Sequence, residues 1–147
     1  MGKIFIAEDD PLMSRMYERA FKLNNYEIEQ AFDGEEAIAK LETMNPKPIL
    51  IILDVMMPKM TGFDVLKHIK TKPDLKSIPV IMLSNLAGQE DAEKALTMGA
   101  VLYLVKSQYE PKQIMEKIKE IITGYQRKND IPTVKVQTKD IEDKSSK

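Results

Sequence analysis

At 147 residues the chain has the length of one domain, and its 43% hydrophobic and 31% charged side chains suit a single apolar core. Its 22 basic and 23 acidic side chains leave a formal net charge of −1, without the basic excess of a dedicated nucleic-acid binder. The absence of cysteine excludes disulfides, thiolate metal sites and cysteine nucleophiles. No apolar run near the N-terminus is long enough for a signal-peptide core or a membrane span, so a cytoplasmic protein is expected.

The first apolar run, Ile4-Phe5-Ile6-Ala7, reads as a buried strand and ends in Glu8-Asp9-Asp10. Asp10 followed by Pro11 is an N-cap with proline at the first helical position, and Met13, Met16, Tyr17 and Ala20 continue at helical spacing. The more polar stretch from Tyr26 to Ala31 suits an edge strand. Asp33 with Glu36 three residues on resembles a capping box, ahead of the stripe Ala37, Ile38, Leu41 and Met44. A second buried strand, Ile49 to Leu53, ends in Asp54, and a helix marked by Val65, Leu66 and Ile69 follows Gly62. Its histidine, His68, sits among lysines and is expected to face solvent. Val80 to Leu83 ends in Ser84 and leads to a helix marked by Ala92, Ala95 and Leu96, which Gly99 closes. Val101 to Val105 ends in Lys106, and a last helix carries Ile114, Ile118, Ile121 and Ile122 between Pro111 and Gly124.

Continuous apolar strands, as opposed to alternating ones, indicate a parallel sheet covered on both faces. Five strand–helix repeats joined by right-handed crossovers build a doubly wound α/β domain over residues 1–124. Residues 125–147 are polar and mixed in charge, and they read as a flexible tail. A brief strand through Ile131, Val134 and Val136 is the alternative reading.

In open parallel sheets the working crevice lies outside the carboxyl ends of the strands. The four most apolar strands deliver Glu8, Asp9, Asp54, Ser84 and Lys106 to that edge. Clustered carboxylates are ionised at neutral pH and repel. A hard divalent cation relieves this, and an all-oxygen site suits Mg²⁺. Lys106 and Ser84 add a cation and a hydroxyl for further anionic oxygens. Metal, cation and hydroxyl around one carboxylate nucleophile form a set for phosphoryl transfer, which is mostly positioning and charge neutralisation.

The segments Ile-Ala-Glu-Asp-Asp-Pro at 6–11, Leu-Asp-Val-Met-Met-Pro at 53–58 with Gly62, Met-Leu-Ser at 82–84 and Gly-Ala-Val-Leu-Tyr-Leu-Val-Lys at 99–106 resemble, in order, the receiver domain of two-component response regulators. The resemblance covers about residues 3–123. It implies a CheY-like, flavodoxin-like fold: a five-stranded parallel sheet in the order 2-1-3-4-5 with helices on both faces. It implies Asp54 as the phosphoacceptor, to be converted to 4-aspartylphosphate. The metal would be held by Asp54, by Asp9 directly, by Glu8 through water and by the Met56 backbone carbonyl. Ser84 would be the switch hydroxyl, Lys106 the phosphate-pairing lysine and Tyr103 the aromatic switch, turning inward on phosphorylation. Expected partners are a sensor histidine kinase or phosphotransfer protein, and a downstream protein docking on the fourth helix, fifth strand and fifth helix. The chain is expected to act as a stand-alone receiver without a DNA-binding domain, as a monomer or a weak phosphorylation-dependent dimer, and as a signalling domain and not an enzyme.

Two positions depart from the family pattern. Ser107 stands where proline commonly follows the lysine across a cis bond, and a cis bond before a non-proline residue costs about 2.5–4 kcal/mol. Asn85 replaces a small residue beside the switch. Apolar Met56 and Leu86, two positions beyond Asp54 and Ser84, disfavour a well-placed attacking water and predict slow self-dephosphorylation. Two other functions compete: a pseudo-receiver that binds without being phosphorylated, and a Mg²⁺-dependent phosphohydrolase with an Asp nucleophile. Against the hydrolase, Met56 occupies the place of the second acid in its Asp-x-Asp pattern. No Gly-rich phosphate loop follows the first strand, which argues against a nucleotide-cofactor enzyme.

Overall fold

The computed structural model describes residues 2–128 and 135–137, with side chains described for 2–124. Strands β1 (Lys3–Ala7), β2 (Glu27–Ala31), β3 (Leu50–Leu53), β4 (Val80–Ser84) and β5 (Leu102–Val105) alternate with helices α1 (Pro11–Leu23), α2 (Gly34–Thr43), α3 (Gly62–Lys70), α4 (Gln89–Thr97) and α5 (Pro111–Lys128). A sixth strand, β6 (Lys135–Gln137), follows α5. All pairings are parallel, and the sheet runs β2-β1-β3-β4-β5-β6. The expected 2-1-3-4-5 core is present, extended by one strand at the β5 edge.

Strand alternation divides the apolar residues into two layers. Ile4, Ile6, Leu50, Ile52, Ile81, Leu83, Leu102 and Leu104 pack with Tyr17 and Phe21 of α1 and with Ile114, Ile118, Ile121 and Ile122 of α5. Phe5, Ala7, Ile51, Leu53, Val80, Met82, Tyr103 and Val105 pack with α2, α3 and α4 through Ala37, Leu41, Val65, Leu66, Ile69, Ala92 and Ala95. Both faces are covered, which is why these strands read as unbroken apolar runs. Each buried Leu, Ile or Phe contributes about 1.5–3 kcal/mol.

The helix signals act as their chemistry requires. Asp10 caps α1 by accepting the Leu12 N–H at 2.9 Å, with Pro11 in the first turn. Asp33 accepts the Glu36 N–H at 2.7 Å, and Glu36 reaches back to the Phe32 N–H, one residue before the cap. Thr61 and Asp64 form a reciprocal capping box at α3. Gly99, with φ 108°, follows the end of α4 in the left-handed conformation that glycine supplies without a steric penalty.

Three expectations change. The buried face of α1 is Ser14, Tyr17 and Phe21, while Met16 is exposed, so the apolar stripe is rotated from its sequence reading. Helix α5 runs through Gly124 to Lys128, because a single glycine only weakens a helix whose apolar face is already packed. Part of the expected tail is strand: β6 pairs with β5 through Lys135, Val136 and Gln137. The remainder of that expectation, residues 129–134 and 138–147, lies outside the described residues. Among the described residues no helix is long and apolar enough to cross a membrane.

Candidate functional site

The strand order reverses between β1 and β3, so their carboxyl ends open a crevice, and Glu8, Asp9 and Asp54 stand there. Each offers a carboxylate oxygen, and these atoms lie within 4.8 Å of one another. Glu8 and Asp54 are buried, whereas Asp9 is exposed. Backbone bonds hold the two acids in place: Glu8 N–H donates to Ala31 C=O and Asp54 N–H to Ala7 C=O, each at 3.0 Å.

Lys106, at the end of β5, brings its ammonium to both acids: it donates to Asp54 Oδ2 at 2.8 Å and to Glu8 Oε1 at 2.5 Å. The other oxygens are also engaged. Met56 N–H donates to Asp54 Oδ1 at 3.1 Å, and Asp10 N–H donates to Glu8 Oε2 at 3.1 Å. Burial lifts the Glu8 carboxyl from 4.5 to about 7, with the Asp54 charge adding to the rise and Lys106 opposing it. Burial works against the Lys106 charge too, but its bonds to Asp54 and then to Glu8 outweigh that and raise its pKa.

Close approach of the next helix shapes the surroundings of Asp54. A Cβ on Gly62 would stand 2.3 Å from the Asp54 carbonyl oxygen, so only glycine admits the start of α3 so near. Gly62 N–H then donates to Val55 C=O at 2.9 Å and closes the loop that carries Met56. Met56 itself is 59% exposed at the crevice mouth.

On the neighbouring strands the bonding is neutral. Ser84 is fully buried, and its hydroxyl accepts the Leu86 N–H at 3.1 Å. Tyr103 is also fully buried and donates its hydroxyl to the Leu86 carbonyl at 2.7 Å. Leu86 thus links the two residues, one through each of its peptide groups. Tyr103 already lies inward, whereas the expectation placed that movement after phosphorylation. Burial is the largest cause holding the Tyr103 hydroxyl protonated, its pKa pushed up to about 12.

The departures from the family pattern have structural counterparts. Lys106 to Gln108 form a short 3₁₀ turn, and the Lys106–Ser107 bond is trans. Asn85 is exposed and lines a shallow hollow with Asp10, Met13, Lys106 and Ser107 beside the crevice. His68 is only partly exposed and pairs with Glu42 at 2.9 Å, away from the acids. One neighbour escaped the sequence reading: Tyr17 on α1 is 3% exposed, and its hydroxyl has no hydrogen-bond partner among the described residues. Burial, followed by the negative charges of Glu8 and Asp54, holds its proton firmly. Its spacing gave only a core signal, since a tyrosine hydroxyl leaves no mark on apolar periodicity.

The donor set fits a hard divalent cation. All candidate ligands are oxygens, and three carboxylates face one ammonium, a local excess of negative charge that such an ion offsets.

A parallel sheet in this order, with paired acids beside an aspartate and a lysine at its carboxyl edge, defines a receiver domain. The chain belongs to the response regulator receiver domain family, whose model matches residues 4–119. It is similar to the gliding motility regulatory protein of Myxococcus xanthus, 38% identical over 106 residues, which are 72% of this chain and 13% of that protein. Among solved structures it is similar to the chemotaxis response regulator CheY4 of Vibrio cholerae, at 30% identity and a TM-score of 0.75, with 82% of this chain and 98% of that one covered. The Mn²⁺-bound form of response regulator Rcp1 is similar at 29% identity and a TM-score of 0.73, covering 90% of this chain and all of that one. The chain spans about half the length, or less, of the curated relatives it matches.

Proposed function

We propose that this receiver is a phosphorylation switch in a two-component relay, with Asp54 as the phosphoryl acceptor. The observation that carries the reading is the Lys106 ammonium, 2.8 Å from Asp54 Oδ2 and bonded at once to Glu8, beside the exposed Asp9 carboxylate. A carboxylate oxygen of Asp54 attacks the phosphorus of a phosphohistidine on a kinase or phosphotransfer protein. The O–P bond forms as the N–P bond breaks, and the imidazole leaves with its electron pair and takes a proton. Lys106 then pairs with a phosphoryl oxygen. Mg²⁺ held by Glu8, Asp9, Asp54 and the Met56 backbone carbonyl would supply the remaining charge neutralisation. The existence of a Mn²⁺-bound form of the similar response regulator Rcp1 supports divalent-ion binding by this chain.

The readout runs through Leu86. To reach a phosphoryl oxygen the Ser84 hydroxyl gives up the Leu86 N–H, and the carbonyl of the same residue holds Tyr103. The new contacts shift the population of the surface made by α4, β5 and α5, where a downstream protein docks. Slow self-dephosphorylation follows from Met56 and Leu86 flanking the site, since neither side chain orients water.

Incubation with acetyl phosphate, with and without Mg²⁺, and intact-mass measurement test this directly. One added phosphoryl group is expected, dependent on Mg²⁺ and absent in Asp54→Ala. A chain that takes no phosphoryl group from small donors or from a phosphotransfer protein, and binds no Mg²⁺, is a pseudo-receiver instead.

A further inference from the structure

The β5 side of the sheet does not end at β5. Helix α5 carries the chain back, and after six intervening residues β6 lies parallel to β5, with Lys135 beside Leu102, Val136 beside Tyr103 and Gln137 beside Leu104. The backbone of β6 also lies against α4. It therefore covers the strand edge between α4 and α5, in the middle of the surface assigned above to partner docking.

The bonding can be followed residue by residue. Ile51, beside Val80, donates to Pro79 C=O, so Ile51 bonds to both neighbours of Val80; the backbone groups of Ile81 then turn toward β3, and those of Val80 and Met82 turn toward β5. Leu102, beside Ile81, bonds to those two, so the backbone groups of Leu102 and Leu104 turn toward β4 while those of Tyr103 turn outward. Tyr103 is therefore placed to donate to the Lys135 carbonyl and to accept from the Gln137 N–H.

Two features make this cover displaceable. It is three residues long, so few ladder bonds offset the loss of chain freedom on ordering it. It also lies at the edge, where no strand among the described residues continues the sheet beyond it. An uncovered β5 edge is a template for any extended segment, and strand addition is a common mode of peptide recognition. The segment Val134-Lys135-Val136-Gln137 has the β-branched, alternating character that such an edge accepts.

We infer that the outer edge of β5 is a strand-docking site, that residues 135–137 fill it in cis, and that a partner presenting an extended β segment must displace them. Only the partner step rests on the proposed output role of this surface. The docking itself requires no phosphorylation, so its failure and that of Asp54 labelling are separately observed.

The test uses the full chain and amide hydrogen exchange followed by NMR. In the unmodified protein the Tyr103 amide is expected to be protected at least about tenfold beyond its value in Gln137→Pro, which removes the β6 donor. In that variant the Leu102 and Leu104 amides, which face β4, keep their protection and show that the fold is intact. A synthetic peptide copying residues 132–139 is expected to restore Tyr103 protection in Gln137→Pro, and to bind it at least about tenfold more tightly than the unmodified chain. Equal Tyr103 exchange in the two proteins, or a peptide that leaves β5 unchanged, would overturn the inference. Tyr103 protection that rises with protein concentration would overturn the cis assignment, because it reports strand exchange between copies.

Discussion

The two halves of the carboxyl-edge crevice are built on different forces. On the β1–β3 side, Glu8 and Asp54 are held by an ammonium and by main-chain amides. On the β4–β5 side, Ser84 and Tyr103 are held by neutral bonds to the two backbone groups of one residue, Leu86. Charge-assisted bonds in a buried setting are roughly twice as strong as neutral ones. Under the proposed function the acceptor half is thus fixed against displacement, while the readout half exchanges bonds worth about 1 kcal/mol each, within reach of a new phosphoryl contact. A switch needs both: a rigid place for the chemistry and a cheaply rearranged neighbour that senses it.

The severest way to break this contrast is Lys106→Met. It leaves Glu8 and Asp54 buried together without their cation, and a loss of about 3–5 kcal/mol is expected in urea unfolding at neutral pH without metal. A loss near zero would show that the ion pair does not hold the acceptor half. Next comes pH. The Glu8 carboxyl is raised in the folded chain from 4.5 to about 7, so the folded state holds that proton more tightly than the unfolded one. The resulting stability is fully present below about pH 4.5 and is lost as pH rises through about 7, by about 3 kcal/mol at most. Unfolding midpoints of metal-free protein at several pH values measure it, and Glu8→Gln should flatten the slope.

Smaller effects sharpen the comparison. Gly62→Ala forces a Cβ against the Asp54 carbonyl, with an expected cost of about 1–3 kcal/mol and slower acetyl-phosphate labelling. Tyr103→Phe removes one neutral bond from the readout half and leaves the Leu86 carbonyl without its donor. It should cost about 1–2 kcal/mol while acetyl-phosphate labelling of Asp54 proceeds at the unmodified rate. A variant that labels much more slowly would mean that the halves are not mechanically separate.

Much of the site was legible because it depends on strand ends. An apolar run states where a strand stops, and in a parallel sheet every such stop faces the same crevice, so Glu8, Asp9, Asp54, Ser84 and Lys106 converge by topology alone. The capping residues Asp10, Asp33 and Thr61 act within one helical turn, and the first two were readable for that reason. Thr61 and Asp64 form a capping box that shows only once the start of α3 is known.

Local pattern alone thus determined the alternation of strands and helices, the burial of four strands on both faces and the set of polar groups at their ends. Tertiary structure decided what each group touches. The Lys106–Glu8 pair spans 98 positions, and no periodicity encodes a partner at that distance. The same holds for the inward Tyr103, whose acceptor is a backbone carbonyl 17 positions away, and for the rotation of α1, set by packing against the sheet and α5. It holds again for β6, whose three residues become a strand only because β5 offers an edge with unpaired backbone groups. Short-range rules act through bonds within a few residues, whereas these outcomes depend on which surfaces meet once the sheet has closed.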